Sequence, residues 1–240
     1  MKNVAIIPAR SGSKRIVGKN TKLFCSRPMI SWVIDALKAF NIFDEVIVST
    51  DSEEIVALCR NFGASVYGIR PKSISDDVTS VLDVIKYEIA NQKLVEKGYE
   101  LVTLVYATAP MIELSDIKEA IRNLKSFDFA MSIAEYVYPI QRALIINDRV
   151  KNIEMLDKKN FLTRSQDLQK TYHDAAHFIV GKIESWKSKT PLINGTTYPV
   201  IIPENRVQDI DEEDDWLKAE MKFMKFKEGS SLKVRTENEL

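Results

Sequence analysis

NVAIIPARSGSKRIVGKN, residues 3–20, decides how the rest of the chain is read. Val4–Ile7 is a short unbroken apolar run, the mark of a strand buried on both faces. A polar loop follows at once, with Gly12 and Gly18 and with Arg10, Lys14, Arg15 and Lys19 crowded between them. A strand that leads straight into such a loop is the first unit of an α/β domain.

The units after it repeat the pattern. Pro28 opens a helix whose apolar face is Ile30, Val33, Ile34 and Leu37. Val46–Val48 is a second strand, and Asp51 or Ser52 caps the next helix. Ile55, Leu58, Cys59 and Phe62 face inward there, and Gly63 ends the helix. Ala64–Tyr67 reads as a third strand. Val81, Val84, Ile85 and Ile89 mark a helix and Leu101–Val105 a strand. Ser115 reads as the cap of a further helix, and Ala130–Ile133 and Val200–Ile202 as later strands. Trp216, Ala219, Glu220 and Phe223 share one stripe of a final helix. This alternation predicts an α/β fold with a mostly parallel central sheet and helices on both faces. Ligands then bind beyond the carboxyl ends of the strands, where the loops after Ile7, Val48 and Val105 lie.

The rhythm breaks at about 136–175, a polar stretch with Pro139 and the pair Asn147–Asp148. It reads as an excursion from a single domain spanning 1–227, an arm suited to meeting a second subunit. Residues 228–240 read as a polar, frayed tail.

The 240 residues carry 34 basic and 34 acidic side chains, and that balance argues against a nucleic-acid binder. No apolar run approaches a membrane span, and the start breaks at Pro8 and Arg10, too early for a signal peptide. Cys25 and Cys59, outside any metal-binding pattern, read as reduced thiols of a cytoplasmic protein.

The loop itself is an anion site. Gly12, Ser11 and Ser13 let the backbone turn and present N–H groups, and four mobile cations surround them. Its place after the first strand turns an anion site into a phosphate cradle. It is neither a GxxxxGK[ST] loop nor a GxGxxG fingerprint, which disfavours a dinucleotide-dependent oxidoreductase. Far away in sequence, Asp209 and Asp211 flank Ile210. In an extended segment the two carboxylates share a side, suited to one hard cation, while Ile210 turns inward. The same acids also suit the cap and first turn of the final helix, where Glu212–Asp215 belong.

IPARSGSKRIVGKN closely resembles the signature of acylneuraminate cytidylyltransferases. The resemblance continues in STDSEEI (49–55), Arg70–Pro71 with SDD (75–77), and DIDEEDDW (209–216), so it spans nearly the whole chain. YATAP (106–110) and RSQDL…YHDA (164–175) look most like the pseudaminic acid branch. The resemblance implies a nucleotidyltransferase fold and transfer of CMP from CTP to an acidic nine-carbon sugar. It implies that Arg10, Ser13, Lys14, Asn20, Arg70, Asp77, Ser80, Tyr106 and Thr108 bind CTP, with Arg10 and Lys19 acting on the transferred group. Asp77 and Ser80 have a second reading as helix caps. Asp209 and Asp211 are the implied Mg2+ ligands. Arg164 is placed on the sugar carboxylate and Gln166, Tyr172, His173 and Asp174 on its hydroxyl and acetamido groups. A homodimer whose arm completes the neighbouring sugar pocket is also implied.

The departures matter. The signature's Pro-Arg pair is Val17–Gly18 here. Tyr106 and Ile112 replace the glutamine and arginine of the sialate QPTSPLR segment. The branch's YHDAGQFYW is YHDAAHFIV, with Ala176, His177, Ile179 and Val180 changed. A 3-deoxy-manno-octulosonate-type enzyme carries QGDEP where this chain has YATAP, and an inactive binding paralogue is the remaining alternative.

Overall fold

The computed structural model describes residues 1–147, 149–188, 191–193 and 196–237, with side chains through residue 229. Asp148 and residues 238–240, parts of the expected arm and tail, lie outside the described residues.

Strand β1 (Asn3–Pro8) is flanked in parallel by β4 (Glu45–Ser49) and β5 (Leu101–Val105). Its alternation explains the unbroken apolar run. Ala5 and Ile7 point into the core beneath α1 (Met29–Ala39), α2 (Glu53–Asn61) and α4 (Leu114–Asn123). Val4 and Ile6 point into a second core with α3 (Val81–Asn91) and α5 (Ile183–Lys187). Neither face sees water, so both alternate sets must be apolar.

Across β5 the sheet changes character. Strand β9 (Tyr172–Lys182) runs antiparallel between β5 and β6 (Phe129–Glu135), and β10 (Thr197–Ile201) closes the edge in parallel with β6. The order is β10-β6-β9-β5-β1-β4, mostly parallel as expected, with β9 alone reversed.

A third cluster sits beyond this sheet. The small hairpin of β2 (Leu23–Phe24) and β3 (Arg27–Pro28) turns through Cys25 and Ser26, both at positive φ, the backbone of a tight hairpin turn. Phe24 packs edge-on against Trp216 and meets Phe223, both on α6 (Glu213–Glu237). Ile16 of the basic loop and Ile210 join them.

Several expectations are corrected. Residues 64–67 form no strand. They touch β4 through a single bridge, Ile47 to Ser65, and the chain bows outward at Tyr67 and Gly68 before returning at Thr50. The helix expected from Ser115 starts at Leu114 with Glu113 in the cap position, since Asp116 is drawn into a buried pair with Arg206. The stretch 136–175 is not simply irregular. It holds a hairpin, β7 (Leu144–Asn147) with β8 (Asn152–Met155), and its last four residues begin β9. Helix α6 runs on past Glu228, where a frayed tail was expected. Ser52, not Asp51, caps α2, its hydroxyl accepting from Ile55 N at 3.4 Å.

Candidate active site

The carboxyl ends of β1, β4 and β5 open into a cleft of about 320 Å³. The basic loop forms one wall with Arg10, Ser13, Lys14, Arg15, Lys19 and Asn20. Arg70 and the segment to Thr79 form the second, and Tyr106 and Thr108 the third.

The loop is fixed from below. Asp51 accepts from Ser11 N at 2.8 Å and from the Ser11 hydroxyl at 3.1 Å. Asn20, nearly buried, donates its side-chain amide to Arg10 O at 2.9 Å and its own carbonyl accepts from Ile30 N, which closes the loop onto α1. Asp51 was read as a possible helix cap; its place between the second strand and a loop needing acceptors was the available signal.

Arg70 is 4% exposed. It donates from Nη1 to the carbonyl and hydroxyl of Ser49, both at 3.3 Å, and from Nε to the Ser75 hydroxyl at 3.0 Å. The Ser49 hydroxyl donates to buried Glu88 at 2.6 Å. Burial lowers the Arg70 pKa, and Asp51 and Glu88 oppose that. Arg70 thus lines the cleft as part of a buried network that anchors the second wall. Ser80 does not line it. Its hydroxyl caps α3, accepting from Asp83 N at 3.1 Å, the second of its two readings. Asp77 points at cations: Arg10 Nη1 lies 2.7 Å from Oδ1, and Lys14 Nζ pairs with Oδ2.

Asp209 and Asp211 behave as the extended-segment argument requires. Ile210 between them is buried in the third cluster, Asp209 is exposed and Asp211 half-buried. Asp215, in the first turn of α6, accepts from the backbone N–H of Asp211 and Glu212 and takes the capping role. Lys19 joins this strap to the loop, donating to Ile210 O at 2.5 Å with Asp211 3.8 Å away. Burial lowers its pKa, and Asp211 and Asp209 push the other way. Arg15 pairs with Asp211 at 2.7 Å.

The carboxylate of Asp209 makes no hydrogen bond or ion pair among the described residues. No group of three metal-binding side chains occurs among them either. Two carboxylates on one side of an extended segment fit a cation whose remaining ligands are water and phosphate oxygens.

The expected sugar contacts divide. Asp174 lies near Tyr106 and Asp209, and burial followed by the Asp209 charge raises its carboxyl pKa. A bulge in β9 sets this geometry. Pairing with β6 jumps from Met131–Ile179 to Ile133–Asp174, and Ser132 fills the gap by accepting from His177 N and Phe178 N. Asp174 accepts from Ala176 N at 2.7 Å, and Ala176 takes φ 51°. His173 lies against Tyr136, 4.9 Å between centroids, beside the arm. Tyr172 is exposed at the strand's start. Arg164 and Gln166 sit on the exposed arm and line no part of the cleft.

Behind the bulge, His177 is buried with Nδ1 unpartnered, and burial drives its pKa down to about 4. Its neighbour Arg206 forms a buried bidentate pair with Asp116 at 2.6 and 3.0 Å and donates to Met111 O. Three residues before Asp209, this clamp fixes the start of the carboxylate strap. Cys25 and Cys59 are free thiols, and burial pushes Cys59 up to about 12.

A family model described as cytidylyltransferase matches residues 4–196. Pseudaminic acid cytidylyltransferase of Campylobacter jejuni is 39% identical, covering 88% of this chain and 91% of that protein. N-acylneuraminate cytidylyltransferase of Streptococcus agalactiae is 30% identical over 90% of this chain and 52% of its own length. A solved CMP:2-keto-3-deoxy-manno-octonic acid synthetase complexed with CTP superposes with a TM-score of 0.66 at 15% identity, covering 94% of this chain and 99% of that one.

Proposed function

The chain belongs to the cytidylyltransferase family, and from that premise we propose that it transfers CMP from CTP to the anomeric hydroxyl of an acidic nine-carbon sugar, with pseudaminic acid favoured. The observation that carries this reading is that two distant segments meet at the edge of the cleft, where Arg15 and Lys19 of its wall contact Asp211. The basic loop after β1 and the Asp209–Asp211 strap meet through Lys19.

Attack of the sugar oxygen on the α-phosphorus forms one P–O bond and breaks another, releasing pyrophosphate. Arg10, Lys14 and the loop's N–H groups hold the phosphate chain, with Ser13, Asn20, Tyr106 and Thr108 completing the nucleotide's surroundings. Arg10 and Lys19 stabilise the charge that builds in the transition state. Asp77 belongs to this machinery through the two cations it faces. Asp209 and Asp211 would hold Mg2+, which when bound supplies charge neutralisation at the phosphates. Asp174, beside Tyr106, is the polar group of β9 best placed to meet the sugar.

Arg164, Gln166, Tyr172 and His173 enter the reading through a second copy of the chain. The arm exposes Leu144, Ile145, Ile146, Ile153, Leu156, Phe161 and Leu162, an apolar surface that a homodimer would cover. It carries Arg164 and Gln166 away from the cleft of its own chain, as an arm that completes a neighbouring pocket must. Two free thiols, soluble substrates and the absence of any described helix long and apolar enough to cross a membrane support a cytoplasmic enzyme.

The octulosonate-type reading is weaker. Relatives at 37–39% identity are named for pseudaminic acid, whereas the octonic acid synthetase shares the fold at 15%. A coupled pyrophosphate assay with CTP, Mg2+ and pseudaminic, legionaminic or N-acetylneuraminic acid tests the proposal. Release is expected with pseudaminic acid; release with none of the three would refute the nine-carbon assignment.

A further inference from the structure

Asp77 faces the phosphate cradle in the manner of a ligand. One carboxylate oxygen meets Arg10 and the other meets Lys14, while the carbonyl of Asp76 also accepts from Arg10 Nη1 at 3.0 Å. Two oxygens of one anion shared between two cations is the pattern a phosphate group would make there.

The loop that carries Asp77 is built to present it. Arg70 anchors the loop's start in the buried Ser49–Glu88 network, and Ser75 is tied to both Arg70 and Pro71 O. Asp76 turns its own carboxylate back onto the chain, accepting from Val78 N, Thr79 N and the Thr79 hydroxyl. Of two adjacent acids, one therefore shapes the loop and the other is free to enter the cleft. The two cations hold the Asp77 carboxyl below the usual carboxylate range.

We propose that Asp77 is an internal counter-ion of the phosphate cradle that competes with polyphosphate for Arg10 and Lys14. This rests on reading the cleft as the CTP site, and gives Asp77 a role other than contact with the base or ribose. A triphosphate, with several charges, displaces one carboxylate. When pyrophosphate forms, Asp77 recaptures the cations as it departs. The residue thereby sets how tightly the leaving product is held.

Titration calorimetry of the full chain and of Asp77→Asn, with pyrophosphate and with CTP separately, tests this. A competing carboxylate predicts that both ligands bind more tightly to Asp77→Asn, by roughly two- to fivefold, the range expected for an exposed ion pair. Lys14→Gln should weaken both. A gain of affinity cannot come from a damaged fold, and matched thermal melts confirm that the exposed substitution is tolerated. Weaker CTP binding with unchanged pyrophosphate binding would overturn the proposal and return Asp77 to the nucleoside. Unchanged binding of both ligands would overturn it too, as would a wild type that binds neither. A wild type that binds pyrophosphate but not CTP would refute the cytidylyl reading alone, since the pyrophosphate arm still tests Asp77.

Discussion

The two sides of β5 meet the demands of a polar site in opposite ways. On the β1–β4 side the cations are answered within the chain: Arg10 and Lys14 by Asp77, Arg15 by Asp211, Arg70 by Ser49 and Ser75. On the β6–β9 side, answers are missing. His177 keeps an unpartnered buried nitrogen, Ala176 sits in the left-handed region, and the arm turns apolar side chains to solvent. The first side is the finished one, and in the function proposed above it is the cradle for the nucleotide's phosphates. The second, in the function proposed above, is the surface that a second copy would cover, beside a strand whose bulge sets Asp174 near Tyr106.

The largest test strikes the finished side. Asp211→Ala removes one of two carboxylates on the strap and the partner of Arg15. If the pair holds the metal, several kcal/mol of transition-state stabilisation are lost, about a thousandfold in turnover. The melting temperature should hardly move, because the residue is half-buried and its pairs are solvent-screened. Near-normal pyrophosphate release would break the metal assignment and leave the cradle a binding site only.

Next in size is the pH response of the strained side. Buried His177 stays neutral in the folded chain down to about pH 4, while the unfolded chain takes up that proton near 6.5. Protons between those values favour unfolding, so stability falls as pH falls through that window, by about 3 kcal/mol in full. Burial dominates and the Arg206 charge adds to it, outweighing Asp116 and a hydrogen bond to the Arg206 backbone, which favour the charged ring. His177→Gln should lose less stability than wild type between pH 6.5 and 4 in urea melts. Parallel curves would mean that the imidazole is hydrated.

The arm gives a third test. Ile146 and Ile153 face one another across the hairpin, and both are exposed. Replacing both by Lys places like charges opposite each other on the surface proposed for the second chain. The variant is expected as a monomer in sedimentation analysis. Its KM for the sugar should rise about tenfold to a hundredfold, as for loss of charged hydrogen bonds, with CTP affinity unchanged. An unchanged sugar KM in a monomer would place Arg164 and Gln166 outside the pocket.

The same divide governs what the sequence disclosed. The β1–β4 side was legible because its signals are local: unbroken apolar strands, helical apolar faces, a basic loop directly after the first strand, and an alternation that put Ile210 inward. Asp209 and Asp211 could be paired with one another, though not with the distant Lys19, because a period-two argument needs only three residues. The β6–β9 side depends on non-local partners. Tyr172–Asp174 are polar and follow a polar stretch, so the start of β9 looked like more loop. Only pairing with β6 makes it strand. The outward bow at Gly68 and the recruitment of Asp116 by Arg206 are likewise set by distant contacts, and they undid the readings of 64–67 and Ser115.

The smallest test sharpens the comparison most directly. The pseudaminate branch pattern carries glycine where this chain has Ala176, and φ 51° supplies the reason: a Cβ is disfavoured in the left-handed region by about 1–2 kcal/mol. The bulge persists because Asp174 captures Ala176 N and Ser132 satisfies the next two N–H groups. Ala176→Gly removes that strain, while the freer unfolded chain takes back part of the gain, roughly 0.4–1 kcal/mol. A net rise of about 0.5–1 kcal/mol remains, or about 1–4 °C in melting temperature for a chain of this size. The expected sign is the useful part, since glycine in an ordinary strand position weakens it. A lower melting temperature would show that residue 176 is not left-handed, and the bulge that sets Asp174 beside Tyr106 would fall with it.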